Sequence, residues 1–280
     1  MRNRIFCIFI LLFPILRPIA SGQDIYDLEH SKVYADFLFS SNQFKLAAEE
    51  YERLVFMDPK NPDYKIKLTS SYRKAANYSY GIKRVYELSG GEINKIDKGL
   101  SIEYLTMLIY TDSLDKANGF LKSNAVIGRD NNLVFRSCNL LLSQNYKEAG
   151  KFVEIAKNEN TEFPSQIFEL AKSSEKIKFK NPVVAATFSA IIPGTGKVYT
   201  GDYADGLVSL LFVASNAWQS YKGFEKNGLN SISGWIFGGV TLGFYIGNIY
   251  GSAKSAKKHN KLKKDAVKNQ VYEFLEYYSF

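Results

Sequence analysis

The sequence is poor in the residues that staple small domains or carry chemistry at neutral pH. Its 280 residues include two cysteines and two histidines. Cys7 stands in an apolar leader, so a processed chain keeps only Cys138. A lone thiol excludes an internal disulfide framework and is most simply a small packed residue. His30 and His259 lie far apart, and no group of side chains has metal-ligand spacing. Neither a metal nor a cofactor is expected. Strand-like alternation is also lacking, which argues against a β or α/β sheet and for an all-α fold. Hydrophobic residues still make up 46% and aromatics 15%, enough for ordered structure.

Acidic residues are missing where they would be informative. Residues 1–22 hold Arg2, Arg4 and Arg17 and no acid. Residues 23–170 hold 19 basic and 21 acidic side chains, whereas residues 171–280 hold 14 basic and 7 acidic. The formal charge of +8 therefore belongs mainly to the C-terminal portion. The start "MRNRIFCIFILLFPILRPIASGQ" has a basic head, an apolar run from Ile5 to Leu16, and small residues Ala20, Ser21 and Gly22. That order is a secretory signal peptide over residues 1–22, with cleavage before Gln23. Arg17 inside it also admits an uncleaved anchor. Either form exports the chain beyond it.

Residues 31–160 have helical periodicity and repeat themselves. "FKLAAEEYERLVFMDP", "YSYGIKRVYEL", "LDKANGFLKSN" and "YKEAGKFVEIAK" each place a small residue three positions after an aromatic or Leu. These residues are Ala47, Gly81, Ala117 and Ala149, spaced by 34, 36 and 32 positions. Antiparallel helices pack closely where one side chain at the crossing is small. The period resembles the tetratricopeptide repeat, most closely in the first unit, through Ala35, Leu38, Phe44, Ala47, Tyr51, Leu54 and Pro59. In the later units Ile93, Asn124 and Thr161 depart from the pattern. The resemblance covers roughly residues 28–160. It implies a helical solenoid over residues 23–165, with a concave face that includes Lys32, Asp36, Phe39, Ser70, Arg73, Lys74, Thr106, Tyr110 and Cys138. Such a face is either a partner groove or merely solvated.

The stretch "AIIPGTGKVYTGDYADG" looks at first like a nucleotide loop. A phosphate-binding loop needs G-x-x-x-x-G-K-[ST]. Here Ile191 occupies the first glycine position and Val198 the position of the magnesium-binding hydroxyl. A β-branched residue does not make the tight turn, and a valine ligates no cation. Nucleotide binding is not expected.

A membrane module fits these glycines better. After a basic linker helix over residues 166–182, residues 183–252 hold two apolar segments, near 204–221 and 232–250. The second is charge-free and long enough to cross hydrocarbon, while the first needs tilt or local thinning. Trp218, Tyr221, Trp235 and Tyr250 are suited to the interfaces. Gly239, Gly243, Gly247 and Gly251 share one helix face, Gly234 and Gly238 form another such pair, and a glycine stripe lets another helix approach closely. The expected partner is the first span of the same chain, through Ser209, Ala214 and Ala217; a second copy would give a homo-oligomer. The order Gly194, Gly196, Tyr199, Gly201, Gly206 after Pro193 resembles the signature of a two-helix membrane domain. It resembles more closely bacterial envelope proteins that join tetratricopeptide repeats to such a module. That resemblance implies an architecture and carries no enzymatic role. On it, Pro193 ends the apolar helix 183–192, Gly194, Gly196 and Gly201 permit the turn, and Tyr199 anchors it. Asp202 or Asp205 would cap the first span.

Lysine-rich flanks, including the basic juxtamembrane tail 253–280, ordinarily stay cytoplasmic. The leader, however, exports the repeats, and two spans return the C-terminus to the exported side. The leader is given precedence, and the lysines would then face anionic headgroups. "VYEFLEYYSF" reads as a short amphipathic segment. No base-reading motif is present and no nucleic-acid partner is expected. The sequence therefore points to an all-α tetratricopeptide-like solenoid followed by a transmembrane helical hairpin. The expected role is a non-enzymatic scaffold or assembly factor in the bacterial inner membrane, with membrane lipid and a protein partner as its ligands and the repeats on the periplasmic side. The alternative is a component of an oligomeric transport or channel complex built on the glycine-striped hairpin.

Overall fold

A computed structural model describes residues 27–124, 126–159 and 162–278; the expected leader lies outside them. The described residues are all-helical, with no strand among them. The chain divides into two compact units, Met1–Ala76 and Asn77–Phe280.

In the first unit, α1 (Leu28–Ser40), α2 (Phe44–Met57) and α3 (Pro62–Lys74) pack in sequence. Each starts or stops for a local reason. Asp27 caps α1 by accepting from the His30 N–H, and Asn61 caps α3 by accepting from the Asp63 N–H, with Pro62 in the first turn. Ala35, Ala47 and Tyr51 are buried between the helices, and Pro59 is exposed in the turn before α3.

The second unit holds α4 (Tyr78–Leu88), α5 (Lys98–Tyr110), α6 (Leu114–Ser123), α7 (Arg129–Leu142), α8 (Tyr146–Glu159) and α9 (Ser165–Glu175). After these come α10 (Pro182–Ile191), α11 (Thr195–Thr200), α12 (Tyr203–Asn227) and α13 (Ile232–Tyr277). Gly81, Ala117 and Ala149 are buried, as Ala47 is in the first unit.

The periodicity has a backbone counterpart. Asn42, Ala76, Asp112 and Gln144 have left-handed φ of 61°, 56°, 57° and 62°. Each stands five residues before one of the small residues, so these turns recur at the same 34, 36 and 32 positions. The turn after α1 closes with Gln43 N–H donating to the Leu38 carbonyl at 2.9 Å. Its equivalents after α5 and α7 run from Ser113 to Leu108 and from Asn145 to Leu140. This six-to-one bond terminates a helix by satisfying an orphan carbonyl. Glycine is the usual residue there, and none of these four is glycine, so the repeat is hidden from a search for glycine stops.

Three boundaries differ from the sequence expectation. Residues 166–182 are not one linker helix: α9 ends at Glu175 and packs on α7 and α8, and a non-helical stretch leads to α10. The stretch between the two apolar segments, residues 222–231, is not all turn, because α12 runs on to Asn227. The basic tail is not a separate segment. Residues 253–277 continue α13 without a break, for 46 residues in all, or about 69 Å at about 1.5 Å per residue. Nothing interrupts it, since no proline follows Ile232 and Ser252, Ala253, Lys254, Ser255 and Ala256 fill the expected junction.

The far end of α13 is built into the core of the second unit. Val267, Val271, Phe274 and Leu275 lie at 0–6% exposure within one apolar cluster with residues of α5 to α9. Fully burying such side chains stabilises by about 1.5–3 kcal/mol each. Among the described residues one helix, α13, is long and apolar enough to cross a membrane. α12 has the length but carries Asp205, Asn216, Gln219 and Lys222 along it.

Candidate functional site

The glycine-rich turn is the most tightly built part of the module. α10 ends before Pro193, and Ile192 is extended. Gly194 then takes φ 89°, a conformation that suits glycine. Its second role is contact: a Cβ there would collide with the Gly206 carbonyl. Gly196 has an ordinary φ and serves approach alone, since a Cβ on it would collide with the Ala185 carbonyl oxygen. These glycines thus let α10, α11 and the start of α12 cross backbone to backbone, a closer role than permitting a turn. Gly201 does have a turn role, at φ 94° after α11.

Side chains lock the arrangement. Ser189 Oγ accepts from the Gly196 N–H at 2.9 Å and shares a 2.7 Å bond with Ser252 of α13. Tyr199 Oη accepts from the Asn181 N–H at 3.3 Å, with Lys180 Nζ 4.5 Å from its ring centroid. Tyr199 therefore braces α11 on the start of α10. Tyr245 Oη donates to the Ala190 carbonyl. The capping expectation needs correction. Asp202 occupies the N-cap of α12 without a side-chain cap bond; its carboxylate accepts from Ser255. The Asp205 carbonyl accepts from Ser209 Oγ as part of the helix. The loop's N–H groups are also spent within the chain. Gly196 donates to Ser189, and Lys197 and Val198 donate to the Gly194 carbonyl.

The hairpin of α12 and α13 closes on different small residues from those of the stripe. A Cβ on Gly223 would lie 2.7 Å from Gly234 N, one on Gly238 would lie 3.0 Å from Ser220 Oγ, and Ser220 Oγ donates to the Gly234 carbonyl at 2.8 Å. Phe212 and Phe244 pack at 4.4 Å between ring centroids. Gly239, Gly243 and Gly247 meet nothing within 4 Å, and Gly251 meets only Lys197 Cε at 3.7 Å. The stripe therefore does not mediate contact between α12 and α13. Spacing on α13 alone cannot say which of two glycine faces meets a neighbour.

Between the helices Gly243 and Gly247 of the stripe instead floor a groove of about 630 Å³. Its walls are Val208, Phe212, Val213, Val240 and Phe244. One end is polar, with Lys197, Ser209 and Asn248. Lys197 Nζ donates to Ser209 Oγ at 3.0 Å and pairs with no carboxylate among the described residues. Asn248 is 6% exposed, and neither its amide nitrogen nor its amide oxygen has a hydrogen-bond partner. Sequence reasoning missed Asn248. The one signal was an amide inside an otherwise apolar, charge-free segment.

The expected partner face is divided by the structure. In the first unit, Lys32 pairs with Asp36 at 2.7 Å, and Tyr51 Oη donates to the same carboxylate at 2.5 Å. Burial acts to raise the Asp36 pKa, but Lys32 and Tyr51 outweigh it and hold the group below its ordinary value. Arg73 and Lys74 stand in the last turn of α3, with Lys74 Nζ 5.5 Å from the Phe44 ring centroid. α1 also presents Val33, Tyr34 and Phe37 at more than half exposure. In the second unit the face is occupied. Tyr110 stacks on Tyr78 at 5.0 Å and meets Tyr272 of α13 edge-on at 4.9 Å. Cys138 is fully buried in the cluster that includes α13, and burial pushes its thiol pKa up. The signal for this docking was the spacing of Val267, Val271, Phe274 and Leu275, one apolar helix face. Its destination was not legible.

No family model, no curated protein and no solved structure matches this chain. The geometry alone therefore carries the functional reading.

Proposed function

We propose that the protein is a membrane-anchored helical-repeat scaffold or assembly factor of the bacterial cell envelope. On this reading α12 and α13 form the membrane hairpin, and the repeats bind a protein partner on the exported side of the inner membrane. The observation that carries it is the continuity of α13. One half is apolar and largely uncovered by protein, with 11% of its most apolar window buried. The other half is part of the repeat core. A helix whose apolar side chains lie exposed outside its protein contacts is at home in lipid. Because the same helix enters the core of the second unit, the anchor and the helices of that unit are joined by continuous helix instead of a flexible tether.

The docked end of α13 also directs the partner surface away from Tyr110 and Cys138. The proposed partner face is that of the first unit, where Val33, Tyr34 and Phe37 lie beside the Lys32–Asp36 pair. Exposed aromatic and aliphatic side chains next to charges are the usual ingredients of an interface. Site-specific photocrosslinkers at positions 37 and 110 of the full chain in native membranes test this. Position 37 is expected to capture a second protein and position 110 to yield intramolecular products only. Capture of the same partner through position 110, with none through 37, would overturn the assignment.

A further inference from the structure

We infer that the groove between α12 and α13 is a binding site for one anionic phospholipid, its phosphate on Lys197 and one acyl chain along the glycine floor. The inference rests on the membrane reading above and adds a ligand to it. Three observations point to this occupant. The groove is amphipathic along its length: Lys197, Ser209 and Asn248 gather at one end, and Phe212, Val213, Val240 and Phe244 line the rest. The ammonium at the polar end has a hydroxyl partner and no carboxylate. Beside it lies a side-chain amide, 94% buried by its 6% exposure, with two unbonded atoms.

Each feature is costly without a ligand. An uncompensated cation at the edge of hydrocarbon seeks an anion, and basic pockets between membrane helices suit lipid headgroups. A buried amide without hydrogen bonds forfeits the partners it had in water. A phosphate diester supplies acceptor oxygens for Lys197 and for the Asn248 NH₂, which meets the first need and the donor half of the second. The floor has room for a chain because Gly243 and Gly247 have open space where a Cβ would stand. The polar end also lies at the correct level. It adjoins Gly251, after which Lys254, Lys257 and Lys258 begin the charged half of α13, while the apolar part of the groove runs toward the hairpin turn.

The test uses the full chain in nanodiscs of phosphatidylcholine with one-fifth phosphatidylglycerol, read by native mass spectrometry, with flotation on vesicles of the same composition. The expected result is retention of one phosphatidylglycerol per chain, unaffected by excess inorganic phosphate. Loss of a charge-assisted hydrogen bond at about 1.5–3 kcal/mol predicts at least tenfold weaker retention in Lys197→Gln. Gly243→Leu, which fills the floor and leaves the fold intact, should abolish retention, and Lys257→Gln should leave it unchanged. A chain that floats but retains no phosphatidylglycerol, or retains it equally in Lys197→Gln, overturns the site alone. A lipid-free dimer lost in Gly243→Leu would assign the groove to a second copy instead. Failure to float overturns both the site and the membrane reading beneath it.

Discussion

The two halves of α13 share one backbone and need opposite surroundings. Ile232–Gly251 presents Trp235, Ile236, Leu242 and Ile246 outward, each more than half exposed. Ser252–Tyr277 carries the lysines outward and turns Val267, Val271, Phe274 and Leu275 into the repeat core. The first half packs against α10 and α12 on one side and leaves its other apolar side chains uncovered. The second has an apolar stripe and a protein groove that fits it. On the proposed reading, a helix is assigned to lipid or to a core by what its neighbours leave uncovered, not by its propensity.

The comparison is broken most severely at the docked half. Val271→Asp places a charge at a fully buried position, and the expected loss is on the order of 4–5 kcal/mol. A thermal melt of the full chain in detergent should show the repeat core unfolding early. Such a variant should also expose Cys138, whose reaction with a maleimide in a Cys7→Ser background should become fast where the parent is slow. Next in size is Ile236→Arg in the uncovered half. If that half faces lipid, the substitution opposes membrane insertion by about 2.5–3.5 kcal/mol. Flotation should weaken while the Cys138 labelling rate stays slow. An unchanged flotation would place Ile236 in water.

The glycines sharpen the comparison within the module. Gly196→Ala drives a methyl group into the Ala185 carbonyl and should cost toward the upper end of about 1–3 kcal/mol. Gly243→Ala meets nothing and should gain up to about 1 kcal/mol from helix propensity. Opposite signs in paired melts are expected; equal destabilisation would mean that the stripe is packed after all. The smallest effect belongs to the first unit. Asp36→Asn should cost about 0.2–1 kcal/mol. Because the folded pKa of Asp36 is lowered, its contribution is complete above the ordinary value of 3.8 and fades as pH falls through the folded value. The parent and Asp36→Asn melts should therefore converge in acid.

Much of the fold was legible because local chemistry decides it. The small residues at Ala47, Gly81, Ala117 and Ala149 mark helix crossings, and Pro193 with Gly194 marks a break. What was not legible depended on distant partners. The spacing of Gly239, Gly243, Gly247 and Gly251 predicted a packed face, yet the contact fell to Gly223, Gly234 and Gly238, because helix rotation is set by α10 and α11 as well. The apolar face at the end of α13 could be read, but its seat against α7 and α9 could not, since it lies more than 90 residues away in sequence. Asn248 was passed over because one amide does not alter the apolar character of a span; only its lack of partners gives it meaning.

The central claim, that one unbroken helix joins lipid to the repeat core, is tested most directly by a cysteine scan along α13. Single cysteines at positions 236–275, in a Cys7→Ser, Cys138→Ser chain reconstituted in vesicles, are labelled with a water-soluble maleimide. The account predicts two protected windows, at 236–246 and at the inward positions 267, 271, 274 and 275, separated by a reactive stretch over 254–263 from which only the buried Ala256 is excepted. Detergent at a concentration that leaves the fold intact should open the first window and not the second. Labelling of 236–246 in intact vesicles as fast as 254–263 would contradict it.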